Sequence, residues 1–152
     1  MSSSRYSASA RGESYTDEAG DVARSELAKC GYELKVRELV SDDAGMLKQQ
    51  ADRFLAGGED VLIFLGGTGV SSRDVTIETI RPYLEKELHG FGEMLRRLSF
   101  QEIGSAALLT RSTAGVAKGK LIVCLPGSPA AVGLALRTFG KEFPHVLFVA
   151  RS

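Results

Sequence analysis

The sequence has no tryptophan and no surplus of charge of either sign. Lys and Arg number 19, and so do Asp and Glu, which gives a formal net charge of zero. Because nothing in such a balance favours neutralising many nucleic-acid phosphates, we do not expect nucleic acid as a partner. Hydrophobic residues make up 43% of the chain and charged residues 25%. This composition is typical of a globular protein and unlike that of a disordered one.

Long apolar runs are also absent. No stretch approaches the length of a bilayer-spanning helix, and the serine-rich N-terminus has no apolar signal region, so we expect a cytoplasmic protein and no membrane partner. The only cysteines, Cys30 and Cys124, lie far apart in sequence, which favours free buried thiols. A length of 152 residues suits one domain, and we assign residues 1–152 to it.

The hydrophobic pattern alternates between helical and strand spacing. Uninterrupted apolar runs predict strands that are covered on both faces. The predicted elements are a helix through Ala19–Cys30, a strand Tyr32–Val40, a helix through Leu47–Leu55, a strand Val61–Leu65, helices Thr76–Leu88 and Glu93–Ile103, a strand Leu121–Leu125 and a helix Ala130–Phe143. Residues 144–149 either continue the last helix or add an edge strand. The pattern indicates an α/β fold with a doubly wound, mostly parallel sheet and helices on both faces, a three-layer sandwich.

Glycine-rich loops follow both of the buried strands. Val61–Leu65 ends in Gly66-Gly67-Thr68-Gly69, and Leu121–Leu125 ends in Pro126-Gly127-Ser128-Pro129. Ligands of open α/β sheets bind outside the carboxyl ends of the strands, and glycines let the backbone approach an anion closely. The first loop matches neither the dinucleotide fingerprint nor a Walker loop. Taken alone, it is equally well explained as a tight turn.

Charged residues lie beside these loops. Arg73 can pair with phosphate oxygens, and a carboxylate at Asp74 next to bound phosphate suggests a bridging magnesium ion. The alternative is that Asp74 caps a helix or pairs with Arg73. Asp42 and Asp43 follow the strand Tyr32–Val40, so they emerge at the same edge of the sheet, although helix capping and exposure explain them as well.

Further polar groups suit an oxygen-rich, phosphorylated ligand. Thr110-Arg111-Ser112 and Ser128 offer hydroxyl groups, backbone N–H groups and a guanidinium, although a solvated turn and a helix start are the plainer explanations. His89 and His145 lie in no metal-ligand spacing, and no Gly-x-Ser-x-Gly motif is present. The sequence therefore gives little support to a zinc site or a serine hydrolase.

In their order and spacing, these motifs resemble the MogA/MoaB family of molybdenum cofactor biosynthesis proteins. The matching segments are residues 66–69, Arg73-Asp74-Val75-Thr76 with Glu78, residues 110–115 and residues 125–129, and the likeness runs from about Arg5 to the C-terminus. The resemblance implies a doubly wound α/β domain that assembles as a trimer or hexamer. It also implies that the chain binds molybdopterin, a pterin that bears a dithiolene and a phosphate, and transfers AMP from Mg-ATP to that phosphate, which releases pyrophosphate. The product would pass to a molybdenum-insertase protein.

Roles carried over from the family fall on particular residues. Asp42 and Asp74 match the family's catalytic acids, and the resemblance implies that both position magnesium. It further implies that the glycine loop holds phosphate or pterin and that residues 110–112 contact the pterin. The expected substrate-binding residues are Arg5, Gly66, Gly67, Thr68, Gly69, Arg73, Glu78, Thr110, Arg111, Ser112, Pro126, Gly127 and Ser128.

The first strand departs from the family pattern. Only Met1 and Ser2 precede Ser3-Ser4-Arg5, where the family has a complete apolar strand, and Ser4 replaces an acid. This difference predicts that a central strand is shortened or absent, with a longer native N-terminus or a neighbouring chain as possible compensation. Ile77 also replaces a proline at a helix start, at little expected cost. The leading prediction is an adenylyltransferase, and the alternative is a molybdopterin-binding protein of the MoaB type without activity.

Overall fold

A computed structural model describes residues 3–9, 17–40 and 43–152. These residues contain a six-stranded sheet with the strand order β2-β1-β3-β6-β5-β4. The strands are β1 (Ser3–Ser9), β2 (Glu33–Val40), β3 (Val61–Leu65), β4 (Lys86–Glu87), β5 (Thr113–Ala117) and β6 (Lys120–Leu125). The helices are α1 (Glu18–Lys29), α2 (Ala44–Ala56), α3 (Thr76–Ile80), α4 (His89–Ile103), α5 (Pro129–Phe139) and α6 (Phe143–Ala150).

Most of the sheet is parallel, as the sequence predicts. The neighbours β2, β1, β3 and β6 pair in parallel, whereas β5 pairs antiparallel with both β6 and β4. An antiparallel edge on a parallel sheet is common in doubly wound folds. The predicted α/β class and mostly parallel sheet are therefore confirmed.

Helices cover both faces of the sheet, because successive side chains of a strand point to opposite faces. Val61, Ile63 and Leu65 of β3 share one core with α1, α5 and α6. Leu62 and Phe64 share the other core with α2 and α3. All five side chains of β3 are buried, which explains its unbroken apolar run. The three-layer arrangement is thus confirmed.

The prediction that the first strand is shortened or absent is wrong. Ser3–Ser9 forms a seven-residue strand that pairs with β2 on one side and with β3 on the other. Backbone N–H and C=O groups make the ladder of a sheet, so a central strand with two neighbours forms without an apolar sequence of its own. No gap in the sheet therefore needs to be filled.

The predicted helix Thr76–Leu88 is also wrong beyond its first turns. α3 ends at Ile80, a 3₁₀ turn follows at Arg81–Tyr83, and Lys86–Glu87 then joins the sheet. Pro82 lies in that turn, and proline cannot donate the backbone hydrogen bond that a continuing helix requires. The next helix begins at His89, earlier than the predicted Glu93.

The C-terminal region resolves an alternative that the sequence leaves open. Residues 144–149 lie within α6, so they form a helix and not an edge strand.

Cys30 and Cys124 are both free thiols, with Cys124 buried and Cys30 partly buried. Within the described part of the chain, no helix is both long enough and apolar enough to cross a membrane.

Candidate active site

The cavity that we call the main cavity lies where the parallel strands end, and another of about the same volume, 430 Å³, lies beside β4 and α6. The chain leaves β1 for β2 on one side and returns to β3 on the other side, which makes the carboxyl ends of β1 and β3 a topological switch point. A cavity of about 430 Å³ opens beside this point, at the carboxyl ends of β3 and β6. Its walls are Leu65, Gly66, Gly67, Thr68, Gly69, Asp74, Ser99, Ile103, Ala106, Ala107, Leu109, Thr110, Pro126, Gly127, Ser128 and Ala131.

The glycine loop Gly66–Gly69 requires its glycines. Gly66 has φ of 97° and Gly67 has φ of 69°, in the left-handed region that other residues avoid. A Cβ atom at Gly67 would collide with the hydroxyl of Thr76. That hydroxyl donates to the Gly66 carbonyl at 2.9 Å, and the Thr76 N–H donates to the Gly67 carbonyl at 3.1 Å. Thr76 therefore anchors the loop, and α3 has no side-chain cap.

The two glycine-containing loops lie against each other. The Gly66 N–H donates to the Leu125 carbonyl at 2.8 Å, and a Cβ at Gly127 would lie 3.6 Å from the Cα of Gly66. Ser128 accepts a hydrogen bond from the Ala131 N–H at 3.1 Å and so caps α5. The predicted site residues Pro126, Gly127 and Ser128 all line the cavity.

A row of backbone donors belongs to the glycine loop. The N–H groups of Gly67, Thr68, Gly69 and Val70 donate no hydrogen bond within the part of the chain that the structure describes. Consecutive N–H groups without an internal partner form an anion-binding concavity. The loop lines the cavity, so this row gives the site the chemistry that an anionic ligand requires.

Asp74 lies beside the same loop. Its Oδ2 accepts a hydrogen bond from the Ser71 N–H at 2.9 Å, and its own N–H donates to the Ser71 carbonyl at 3.0 Å. A Cβ at Gly69 would lie 2.8 Å from Asp74 Oδ2, so Gly69 makes room for the carboxylate. Asp74 also lines the cavity, where the sequence places it.

The second predicted acid, Asp42, lies outside the described residues. Its neighbour Asp43 caps α2, because its Oδ1 accepts from the Gly45 N–H at 2.7 Å. The described residues contain no group of three or more His, Cys, Asp or Glu side chains that could hold a metal ion.

The segment Thr110–Ser112 reaches the cavity through Thr110 alone. The hydroxyls of Thr110 and Ser112 lie 3.0 Å apart, and Arg96 Nη1 donates to the Ser112 carbonyl at 3.1 Å. Arg111 and Ser112 border a second cavity of about 300 Å³, and Thr110 borders both cavities.

Arg111 and Glu78 form an ion pair that does not line the main cavity. Arg111 Nη1 and Nη2 each donate to a Glu78 carboxylate oxygen at 2.9 Å. The hydrogen bond from Arg111 lowers the pKa of Glu78, and the same bond raises the pKa of Arg111. The two side chains are 36% and 51% exposed, so solvent weakens the pair.

Of the other expected binding residues, Arg73 does not line the main cavity, and Arg5 is described by its backbone register. Arg73 is exposed, and its N–H donates to Ser71 Oγ at 3.1 Å. Arg5 is in register with Leu62, three residues before Leu65 ends β3, which is a distance of about 10 Å along a strand. The roles of both in binding remain predictions.

Sequence reasoning missed one wall of the cavity. The end of α4 and the 3₁₀ segment Gly104–Leu109 contribute Ile103, Ala106, Ala107 and Leu109. The exposed apolar side chains here, such as Ile103 at 61%, break the helical hydrophobic pattern, and that irregularity was the available signal.

Together, the switch-point cavity, the row of loop amides and the adjacent carboxylate define an α/β protein whose site suits a phosphorylated ligand. The family described as "Probable molybdopterin binding domain" matches residues 4–145. The chain therefore belongs to this family, the MogA/MoaB group that the motifs predict.

Individual relatives agree with this assignment. The chain is 42% identical over 136 residues to "Molybdenum cofactor biosynthesis protein B" of Staphylococcus carnosus, covering 87% of this chain and 80% of that protein. It is 36% identical over 148 residues to "Probable molybdopterin adenylyltransferase" of Methanocaldococcus jannaschii, covering 97% and 88%. Among solved structures, the tungsten cofactor synthesizing protein MoaB from Pyrococcus furiosus has a TM-score of 0.91 at 34% identity, covering 100% of this chain and 98% of that one.

Proposed function

We propose that the chain is a molybdopterin adenylyltransferase: it binds molybdopterin and ATP and transfers AMP to the phosphate of molybdopterin. The observation that carries this proposal is the meeting of a row of loop amides and the Asp74 carboxylate in one cavity. It is supported by the similarity over 97% of the chain to a relative named for this activity.

The cavity offers separate surfaces for the parts of such ligands. The amides of the glycine loop supply hydrogen-bond donors for phosphate oxygens. The apolar side chains of Ile103, Ala107 and Leu109 supply a surface on which a flat ring can pack. Thr110 lines both this cavity and the smaller one, and we propose that its hydroxyl contacts the ligand in the main cavity.

The reaction needs alignment and charge neutralisation more than covalent help from the protein. A phosphate oxygen of molybdopterin attacks the α-phosphorus of ATP, a new P–O bond forms, and the bond to the bridging oxygen breaks. Pyrophosphate leaves with that electron pair. Loop amides that donate to the α-phosphate oxygens stabilise the charge that builds up there during transfer.

Magnesium fits the donor set at this edge of the sheet. Asp74 provides a carboxylate next to the loop, and Mg²⁺ is commonly held by one or two carboxylates together with substrate phosphates. When bound, the ion would offset the negative charge of the phosphates. Asp74 would hold it, with Asp42 as the second proposed ligand.

We also propose a homo-oligomer, a trimer or hexamer, that passes its product to a molybdenum-insertase protein. Exposed apolar side chains on α4 and the segment after it support an assembly surface there. They are Met94, Phe100, Ile103 and Leu108, with exposed fractions of 55% to 74%. Sedimentation equilibrium on the purified protein measures the number of subunits.

The direct test is to mix purified protein with molybdopterin and Mg-ATP and to analyse the products by mass spectrometry. We expect adenylyl-molybdopterin and an equal amount of pyrophosphate. The alternative is a molybdopterin-binding protein of the MoaB type without activity. Tight binding of molybdopterin without any product would support that alternative and refute the proposed reaction.

A further inference from the structure

We propose that Arg111 and Glu78 act together as positioning residues that set the orientation of the loop amides, and that neither contacts the ligand. This inference rests on the proposed function, because it concerns how the same site binds phosphate. It replaces the direct contact with ligand that the sequence motif suggests for both residues.

The guanidinium of Arg111 donates four hydrogen bonds to the protein. Nε and Nη2 donate to the Gly69 carbonyl at 2.9 and 2.6 Å, while Nη1 and Nη2 donate to Glu78. The Arg111 N–H also donates to the Thr68 carbonyl at 2.9 Å. Arg111 thus binds two successive carbonyls of the loop, those of Thr68 and Gly69.

The direction of those carbonyls fixes the direction of the amides. In a trans peptide the C=O of one residue and the N–H of the next point in opposite directions, and the described chain has no cis peptide bond. Because Arg111 binds the carbonyls of Thr68 and Gly69, the N–H groups of Gly69 and Val70 point away from Arg111. Thr76 holds the Gly66 and Gly67 carbonyls and turns the next two amides in the same manner.

Glu78 fixes the position of the guanidinium. Its two carboxylate oxygens bind Arg111 in a fork, which holds the plane of the guanidinium at the angle that its bonds to Gly69 require. Neither Arg111 nor Glu78 lines the main cavity, in which the phosphate is proposed to bind, and Arg111 borders only the smaller one. Their effect on a bound phosphate therefore passes through the backbone of the loop.

The effect of Glu78→Gln on anion binding distinguishes a positioning role of Arg111 from direct contact between Arg111 and the anion. If Arg111 bound the anion itself, Glu78→Gln would remove a competing negative charge and strengthen binding. If Arg111 acts through Gly69, the same substitution loosens the guanidinium and weakens binding. We expect Glu78→Gln to raise the dissociation constant for magnesium pyrophosphate, measured by calorimetry, by about two- to fivefold. Arg111→Lys, which loses the fork, should raise it by about tenfold.

A matched control lies elsewhere in the same chain. Arg151 donates from Nε to the Gly119 carbonyl at 2.8 Å and from Nη2 to Asp60 at 2.7 Å, which repeats the arrangement of an arginine between a glycine carbonyl and a carboxylate. Asp60→Asn and Arg151→Lys should leave the dissociation constant unchanged. Thermal unfolding of all variants shows that each is folded at the temperature of the measurement.

A second readout examines the loop without ligand. In ¹H–¹⁵N spectra, the amide signals of Gly69 and Val70 should shift in both Glu78→Gln and Arg111→Lys but not in the control variants. Tighter or unchanged pyrophosphate binding in Glu78→Gln would overturn the inference, as would failure of the wild type to bind pyrophosphate. Absence of adenylyl-molybdopterin in the product assay would instead refute the proposed reaction, since the binding measurement uses no molybdopterin.

Discussion

Gly67 and Thr76 are joined at the base of the glycine loop, where the Thr76 N–H donates to the Gly67 carbonyl at 3.1 Å. The Thr76 hydroxyl fills the space that a side chain at residue 67 would occupy. Thr76 is 2% exposed, so the contact is closed to solvent. The start of α3 and the glycine loop therefore form one unit, and a change at either residue affects the other.

Gly67→Ala should destabilise the protein by about 2 kcal/mol, because the new methyl group meets Thr76 and the backbone has φ of 69°. Unfolding in urea measures this change. Gly58→Ala is the matched control, since a Cβ at Gly58 meets nothing within 4 Å. We expect that variant to differ from the wild type by less than about 0.5 kcal/mol. Equal stability of the two variants would contradict the close contact.

Asp74→Asn should lower kcat/KM for adenylyl transfer by about 10²-fold or more, because the amide cannot hold a cation as the carboxylate does. The initial rate of adenylyl-molybdopterin formation measures this loss, and Asp42→Asn should show a comparable one. Asp43→Asn serves as a control: asparagine can still cap α2, so the rate should not change. Full activity in Asp74→Asn would remove Asp74 from the mechanism.

The sequence predicts those helices and strands whose own residues carry a recognisable pattern. The buried strands β3 and β6 are unbroken apolar runs, and their neighbours α1, α2 and α5 carry side-chain caps at Asp17, Asp43 and Ser128, so these elements are predictable. β1 is not, because its pairing with strands on both sides, and not its own composition, places it in the sheet.

The antiparallel edge of the sheet was overlooked for a different reason. β5 contains Gly115, and a Cβ there would lie 2.7 Å from the Lys86 carbonyl. The glycine allows the backbone of β4 to approach closely, and it interrupts the apolar pattern by which a strand is predicted. The turn that joins β5 to β6 has φ of 52° at Lys118 and 70° at Gly119. This Lys-Gly pair was a turn signal that could have indicated the hairpin.

The candidate site was predictable where it depends on one loop and not where it depends on contacts between distant residues. Asp74 and both glycine-containing loops line the cavity, as expected. The pairing of Arg111 with Glu78 joins residues 33 positions apart, and no spacing rule relates them. Both residues belong to the family motif, but the motif does not indicate that Arg111 binds the Gly69 carbonyl or that Glu78 binds Arg111.

Glu87 provides a pH-dependent contribution to stability. Burial raises its pKa, but hydrogen bonds from Thr113 and Arg81 outweigh burial, so the pKa is lowered overall. A lowered pKa means that the unfolded chain binds more protons, so this stability is present above about pH 4.5 and is lost as pH falls through the folded pKa. Glu87→Gln should cost about 1–2 kcal/mol at pH 7 and less near pH 3.

Urea unfolding at several pH values measures this difference. Glu102→Gln, an exposed position on α4, is the control and should change stability by less than about 0.5 kcal/mol at each pH. A constant cost of Glu87→Gln between pH 7 and pH 3 would show that the carboxylate is not what Thr113 and Arg81 stabilise.

Cys124 should be unreactive in the folded protein, because burial raises the pKa of its thiol to about 12. In a Cys30→Ser variant, a thiol reagent at pH 8 should detect no fast-reacting group until denaturant is added. The raised pKa also implies that stability falls as pH rises from about 9 towards 12, since the unfolded thiol ionises first. Rapid labelling of the native variant would contradict the burial of β6.

The most direct test of the central claim follows labelled phosphorus through the reaction. Protein, molybdopterin and Mg-ATP are incubated with label in either the α- or the γ-phosphate, and the products are separated by chromatography. Transfer of AMP predicts that α-label appears with molybdopterin and that γ-label appears only in pyrophosphate. Label from the γ-phosphate on molybdopterin, or no transfer of α-label at all, would contradict the account.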